Sequence, residues 1–295
     1  MARQSTRVGP WQRAFVCVCL ALYAAHLSNL HPEEEDFVGN IQADGRDPLE
    51  GACSIAVEVD LACDRFVREY LGVRPVILRF SPSSDLFNQA FSNISSRTAM
   101  EMEHGDLLVR MSTANSYTGR QWTEMSVREY VREHLNLDPS KMGNETFYLF
   151  GSTHGAAWEA FLNQYLPPTL QYPSESFPER TCAPDRLAKY TASSTTLSFG
   201  IAGRGTGVPF HFHGPGFLQQ LHGRKRWFLY PPETTPEFHP DQSTLHWVRI
   251  VYPSMAAPPT HDCVLEPGDV IYFPRAWVHA TLNLSPFTVF MATFA

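Results

Sequence analysis

The sequence predicts a mainly β domain, an antiparallel sandwich or barrel with helices of the first half packed outside it. From about residue 190, short aromatic and β-branched runs alternate with Gly/Pro turns, and no long helical period interrupts them. Composition agrees with this pattern. Aromatics at 13%, including 20 Phe, suit thick sheet packing, and 23 prolines mark turns and edges. A chain of 295 residues, 43% hydrophobic and 18% charged, can bury one sizeable core. Its net charge of −7 removes the electrostatic case for a nucleic-acid partner.

The first 28 residues read as a signal peptide. Arg3, Arg7 and Arg13 form a positive region ahead of an apolar run of 12, Ala14–Ala25. That run is short for a membrane span, so no span is expected after cleavage, the alternative being an uncleaved anchor. Loss of the three arginines would take the charge from −7 to −10. Residues 29–59, which include HPEEEDFVGN, form a flexible acidic leader. The domain proper then covers residues 60–295. Four cysteines remain after cleavage, Cys53, Cys63, Cys182 and Cys263. They permit two disulfides in three pairings, or free buried thiols. The sequons at Asn93 and Asn144 are expected to carry glycans, in keeping with a secretory compartment. A third, at Asn283, precedes a proline and falls in a strand, so no glycan is expected there.

Along the domain, residues 60–72 have a helical alternation ended by Gly72, and Arg74–Arg79 reads as a strand. Leu107–Met111 and Thr146–Phe150 are further strands. Ser126 and Glu129 form a capping box ahead of Val127, Tyr130, Val131 and Leu135. Trp158, Phe161, Leu162 and Tyr165 make one helical face. The β region contains Thr195–Ala202, Phe210–Phe212, Arg226–Tyr230, Cys263–Leu265, Asp269–Phe273, His279–Leu284 and Thr288–Phe294. Leu245–Ile250 is the one helical candidate among them.

The chemistry concentrates in His211-Phe212-His213. Residues i and i+2 of a strand share a face, so both imidazoles can reach one ion. His279, 66 residues later, lies in another strand candidate and can supply a third ligand. Lys225 shares a strand face with Trp227 and Leu229, an interior setting that a lysine tolerates when it meets an anion. The alternative is a surface basic cluster. Asn283 either hydrogen-bonds a bound ligand or ends a strand. Trp277 shapes the core beneath the site. His222, His239, His246 and His261 lack paired spacing and are read as surface or structural.

Two spacings extend the pattern. Residues 205–213 read G-x5-H-x-H, and residues 268–283 read G-x5-P-x-A-x2-H-x3-N. They resemble the two cupin motifs, with Ala276 where a glycine is usual and no glutamate after His213; Phe217, Leu218 and Gln219 fill that region. The segments GVPFHFHGPG, GRKRWFLYPP and GDVIYFPRAWVHATLNL resemble the jumonji-C family of 2-oxoglutarate-dependent iron oxygenases over roughly residues 60–295. The resemblance implies a double-stranded β-helix (cupin, or jelly-roll) and a protein hydroxylase using Fe(II) and 2-oxoglutarate. His211, His213 and His279 would be the metal ligands. Lys225 and Asn283 would bind the cosubstrate. It also implies a protein substrate or binding partner and, with the signal segment, the endoplasmic-reticulum lumen. Two departures stand out: His213 occupies the position of an acidic ligand, and Val208 that of a hydroxyl residue. They leave open a non-catalytic relative serving as a lumenal binding or regulatory factor. A three-histidine dioxygenase or zinc enzyme is also open.

Overall fold

The computed structural model describes residues 53–81, 88–113, 121–135, 146–151, 153–166, 172 and 196–294. The signal segment, the acidic part of the leader, Asn144 and Cys182 lie outside them. Eight strands form the core: β6 (Thr196–Ala202), β7 (Gly207–His211), β8 (Gly216–His222), β9 (Lys225–Tyr230), β10 (His261–Leu265), β11 (Val270–Phe273), β12 (Val278–Asn283) and β13 (Thr288–Phe294). They divide into two facing rows, β11-β8-β13-β6 and β10-β9-β12-β7. Every neighbouring pair within these rows is antiparallel. The chain crosses between the sheets at nearly every step, which is the jelly-roll, or double-stranded β-helix, arrangement.

The first sheet is wider than the core requires. On one edge it continues into β2 (Val76–Arg79) and β1 (Val57–Val59). On the other it continues into β5 (Phe147–Phe150), β3 (Leu108–Thr113) and β4 (Trp122–Ser126). The leader expected to be flexible through residue 59 is therefore ordered at its end. Val57–Val59 pairs with Ile77–Arg79 in parallel, and Cys53 is disulfide-bonded to Cys263 of β10. Cys63 is disulfide-bonded as well.

Strand alternation sorts the apolar residues into layers. On β13, Phe290 and Ala292 face Trp227, Leu229, Leu265, Ile271 and Phe273 between the sheets. Val289 and Met291 face outward, against Phe91, Met100, Tyr130, Val131, Trp158 and Phe161. The helices carrying those side chains, Gln89–Ile94, Arg97–Met102, Val127–Glu129 with its π-helical continuation Tyr130–His134, and Ala156–Leu162, thus cover the outside of the wide sheet. The capping box is half present: Ser126 Oγ accepts from Glu129 N–H at 3.1 Å. Leu245, Trp247 and Val248 cover the outside of the second sheet against Phe210, Phe228 and Tyr230.

Candidate metal centre

β7 and β12 are neighbours, and their register sets His211 directly opposite His279. A bulge follows between His279 and Thr281. Gly207 permits the approach of the two strands there, since a Cβ at that position would run into the Thr281 carbonyl oxygen. His213 lies two residues beyond His211 on the same side of the chain. Ring centroids are 4.3 Å apart for His211 and His279, 4.9 Å for His213 and His279, and 5.5 Å for His211 and His213. One nitrogen from each ring lies within 4.8 Å of the other two. The expected convergence of three imidazoles is present.

Hydrogen bonding fixes which nitrogens are offered. His211 Nδ1 is 2.8 Å from the Pro209 carbonyl, His213 Nδ1 2.8 Å from the Gly214 carbonyl, and His279 Nδ1 2.9 Å from the Trp277 carbonyl. A carbonyl oxygen only accepts, so each Nδ1 must carry the proton and donate it. In a neutral ring the Nε2 lone pair is then left for a metal, the arrangement in which outer hydrogen bonds orient metal-binding histidines. Neutrality is favoured. Burial holds the His279 pKa well below the usual imidazole value, and the charges of His211 and His213 push it the same way. Burial also lowers that of His213, against its bond to Gly214.

The walls are aromatic. Trp227 stacks on His279 at 5.4 Å, Phe273 lies 4.8 Å from His279, and His213 sits edge-on between Phe273 at 5.3 Å and Phe294 at 4.9 Å. His279 is buried while His211 and His213 are half-buried, so the centre opens on one side. Gln219 takes no part, because its Oε1 accepts from Asn88 Nδ2 and Tyr165 O–H on the outer face of the wide sheet. A second grouping, Glu129, Glu133 and His134, lies on a helical turn with both acids exposed.

The turn before β12 departs from its motif in residue but not in shape. Ala276, standing where a glycine is usual, has φ 64°. Its N–H donates to the His213 carbonyl at 3.0 Å, so this left-handed residue helps hold the second histidine of the His-x-His pair. A Cβ in that conformation costs about 1 kcal/mol. Ala276→Gly is expected to raise the melting temperature by about 2–4 °C. A fall in thermal melting would contradict this account of the turn.

Lys225 is an interior residue rather than part of a surface cluster. It is 1% exposed and pairs across the sheet with Asn283 on β12. Its Nζ lies 3.3 Å from the centroid of the Phe290 ring and 5.7 Å from that of Tyr148. Among the described residues it forms no hydrogen bond or ion pair. Burial holds its pKa well below the usual lysine value. The ring face pulls the other way, but a cation–π contact is worth about 2 kcal/mol against several for desolvating an ammonium, so the downward direction prevails.

Asn283 ends β12, the second of its two expected roles. Its Nδ2 donates to the Thr206 carbonyl at 3.0 Å and to Thr206 Oγ1 at 2.9 Å, tying the turn before β7. Its Oδ1 is buried without a partner, as is Trp227 Nε1. Counting by twos from His279 would have found Thr281, whose hydroxyl accepts from Val208 N–H at 3.3 Å on the same inner face. Counting by twos along β9 does find Trp227. Tyr148 and Phe290 carried no local sign, since both reach Lys225 from other strands.

Of the other singled-out residues, Trp277 is buried, its carbonyl holds His279, and its ring stacks on His261 at 5.7 Å. His222 is structural, with Nε2 donating to the Ser92 carbonyl at 2.8 Å. Asn93 is exposed on its helix, whereas Asn283 is fully buried.

Residues 176–293 match the JmjC domain family model. The chain is 40% identical over 249 residues to JmjC domain-containing protein 8 of Homo sapiens, covering 83% of this chain and 84% of that protein. It is 28% identical over 148 residues to HSPB1-associated protein 1 of Mus musculus, 46% of this chain and 31% of that one. A solved structure of YcfD, a ribosomal oxygenase from Escherichia coli in complex with cobalt and 2-oxoglutarate, aligns with a TM-score of 0.39 at 18% identity. That alignment covers 80% of this chain and 52% of that one. This chain belongs to the JmjC domain family.

Proposed function

We propose that this protein is a lumenal oxygenase of the secretory pathway that hydroxylates a protein substrate, with His211, His213 and His279 holding Fe(II) and Lys225 anchoring 2-oxoglutarate. The observation that carries the reading is the convergence of three imidazoles, one nitrogen of each within 4.8 Å of the other two, with each Nδ1–H bonded to a backbone carbonyl so that Nε2 is left for a metal. The inner face between His279 and Lys225 supports it. It carries Trp227 Nε1 and Asn283 Oδ1 without partners, as well as the buried Lys225, and an acidic ligand of several oxygens meets the needs of the lysine and the indole N–H.

When bound, Fe(II) with 2-oxoglutarate supplies oxidative decarboxylation coupled to C–H hydroxylation. The chain's own part is to hold three imidazoles in fixed orientation and to exclude water with Trp227, Phe273 and Phe294. It also presents Lys225 to the far carboxylate. A third imidazole in place of a carboxylate leaves one more positive charge at the centre than a two-histidine, one-carboxylate set, which affects affinity and metal choice.

The disulfides at Cys53–Cys263 and at Cys63 support an oxidising compartment, together with the N-terminal signal segment and the sequons at Asn93 and Asn144. No helix among the described residues is long and apolar enough to cross a membrane. A protein partner accords with the name of the relative HSPB1-associated protein 1.

The second reading is a lumenal binding or regulatory protein that keeps the fold without turnover, favoured by His213 and Val208 at the two departing positions. Succinate formation from 2-oxoglutarate by the purified Fe(II)-loaded chain separates the two. The oxygenase reading expects metal-dependent succinate, increased in His213→Asp and lost in Lys225→Met. No succinate from either the natural chain or His213→Asp would leave the binding-protein reading standing.

A further inference from the structure

Phe290 and Gly200 are paired residues on β13 and β6. Both face the space between the sheets. A Cβ on Gly200 would collide with the ring of Phe290, so the ring lies against the bare backbone of β6. On the same ring stands Lys225 Nζ, 3.3 Å from the centroid. Tyr148 stacks beside the ring at 5.9 Å and Phe150 lies at 5.7 Å. The ring is therefore wedged between a strand and the amine, in a place where only a glycine behind it leaves room.

A carboxylate bound to Lys225 must approach Nζ to about 2.7–2.9 Å. The ring already occupies one side of that amine at van der Waals distance. Ring and carboxylate compete for the same group.

We propose that Phe290 is a plug on the anion end of the pocket, which weakens and restricts dicarboxylate binding at Lys225. This rests on the reading of Lys225 as a cosubstrate anchor given above. The wedge is built from both sides: Gly200 gives the ring its seat and Lys225 its contact. Cosubstrate binding then requires the ring to leave the amine, so affinity for the keto acid is set partly by a residue of β13 that is not one of the three metal ligands.

The test is calorimetric titration of 2-oxoglutarate, and separately of succinate, into the full disulfide-bonded chain loaded with Co(II). Four proteins are compared: the natural chain, Phe290→Ala, Phe290→Leu and Phe290→Leu with Lys225→Met. The leucine variant keeps apolar volume but lacks the ring face, so it decides the matter if the alanine variant fails to fold. Both single variants are expected to bind the dicarboxylates about tenfold tighter than the natural chain, and the double variant to lose that binding. Equal affinity in the natural chain and Phe290→Leu would overturn the plug and leave the anchor reading intact. Metal binding with no dicarboxylate binding in any of the four would overturn both.

Discussion

Replacing His279 with alanine is expected to abolish divalent-metal binding and, with it, all metal-dependent stabilisation of the fold. A ligand that binds only the folded state at a hundred times its Kd stabilises by about 2.7 kcal/mol. The natural chain should therefore melt several degrees higher in Co(II) than in chelator, and His279→Ala should melt at one temperature in both. Among the three ligands His279 is the one to test, because it is the most buried and faces both partners. His261→Ala is the control. It stacks on Trp277 and lies outside the tripod, so it should keep the metal response. An undiminished Co(II) shift in His279→Ala would mean that the metal, if one binds, sits elsewhere.

Lys225→Met is expected to stabilise the ligand-free protein. An interior amine with no hydrogen-bonding partner costs roughly 1–3 kcal/mol, and methionine fills a similar volume without that cost. The pH dependence gives the sign independently. The folded pKa of Lys225 is depressed by burial. Above the unfolded value near 10.4 both states carry a neutral amine and the residue costs nothing through titration. As pH falls below that value, the unfolded chain takes up a proton that the folded chain resists. Stability then drops by about 1.4 kcal/mol per pH unit until the folded pKa is reached. The difference in unfolding free energy between Lys225→Met and the natural chain should therefore grow from pH 10.5 downward. Denaturant unfolding at several pH values measures it. A difference that is flat with pH, or a less stable variant, would show that burial does not depress the pKa of this amine. Together with the loss of succinate expected from the same substitution, this would make Lys225 a residue kept at a cost to stability for what it binds.

Much of the β framework was legible because it repeats with period two. The runs Arg226–Tyr230, Asp269–Phe273, His279–Leu284 and Thr288–Phe294 all fall on strands, within a residue or two at the ends. Gly216–His222 was not read as a strand. It is buried along nearly its whole length, on both faces, so polar Gln219 and Gln220 break the apolar run without marking an exposed side. β1 escaped because three residues carry little pattern, and its place depends on parallel pairing with β2. Gln89–Ile94 and Arg97–Met102 were not read as helices, because each is short and held by one buried face, through Phe91 and Met100. The site divides in the same way. His211 and His213 follow from spacing, and His279 from its motif. Tyr148 and Phe290 reach Lys225 only because β5 and β13 meet at β6, a fact of topology that no local window contains.

Anomalous diffraction from crystals of the full chain grown with Co(II) tests the tripod most directly. A single strong peak about 2 Å from the Nε2 atoms of His211, His213 and His279 is the expected result. Cobalt bound away from these rings, or held through any Nδ1, would contradict it.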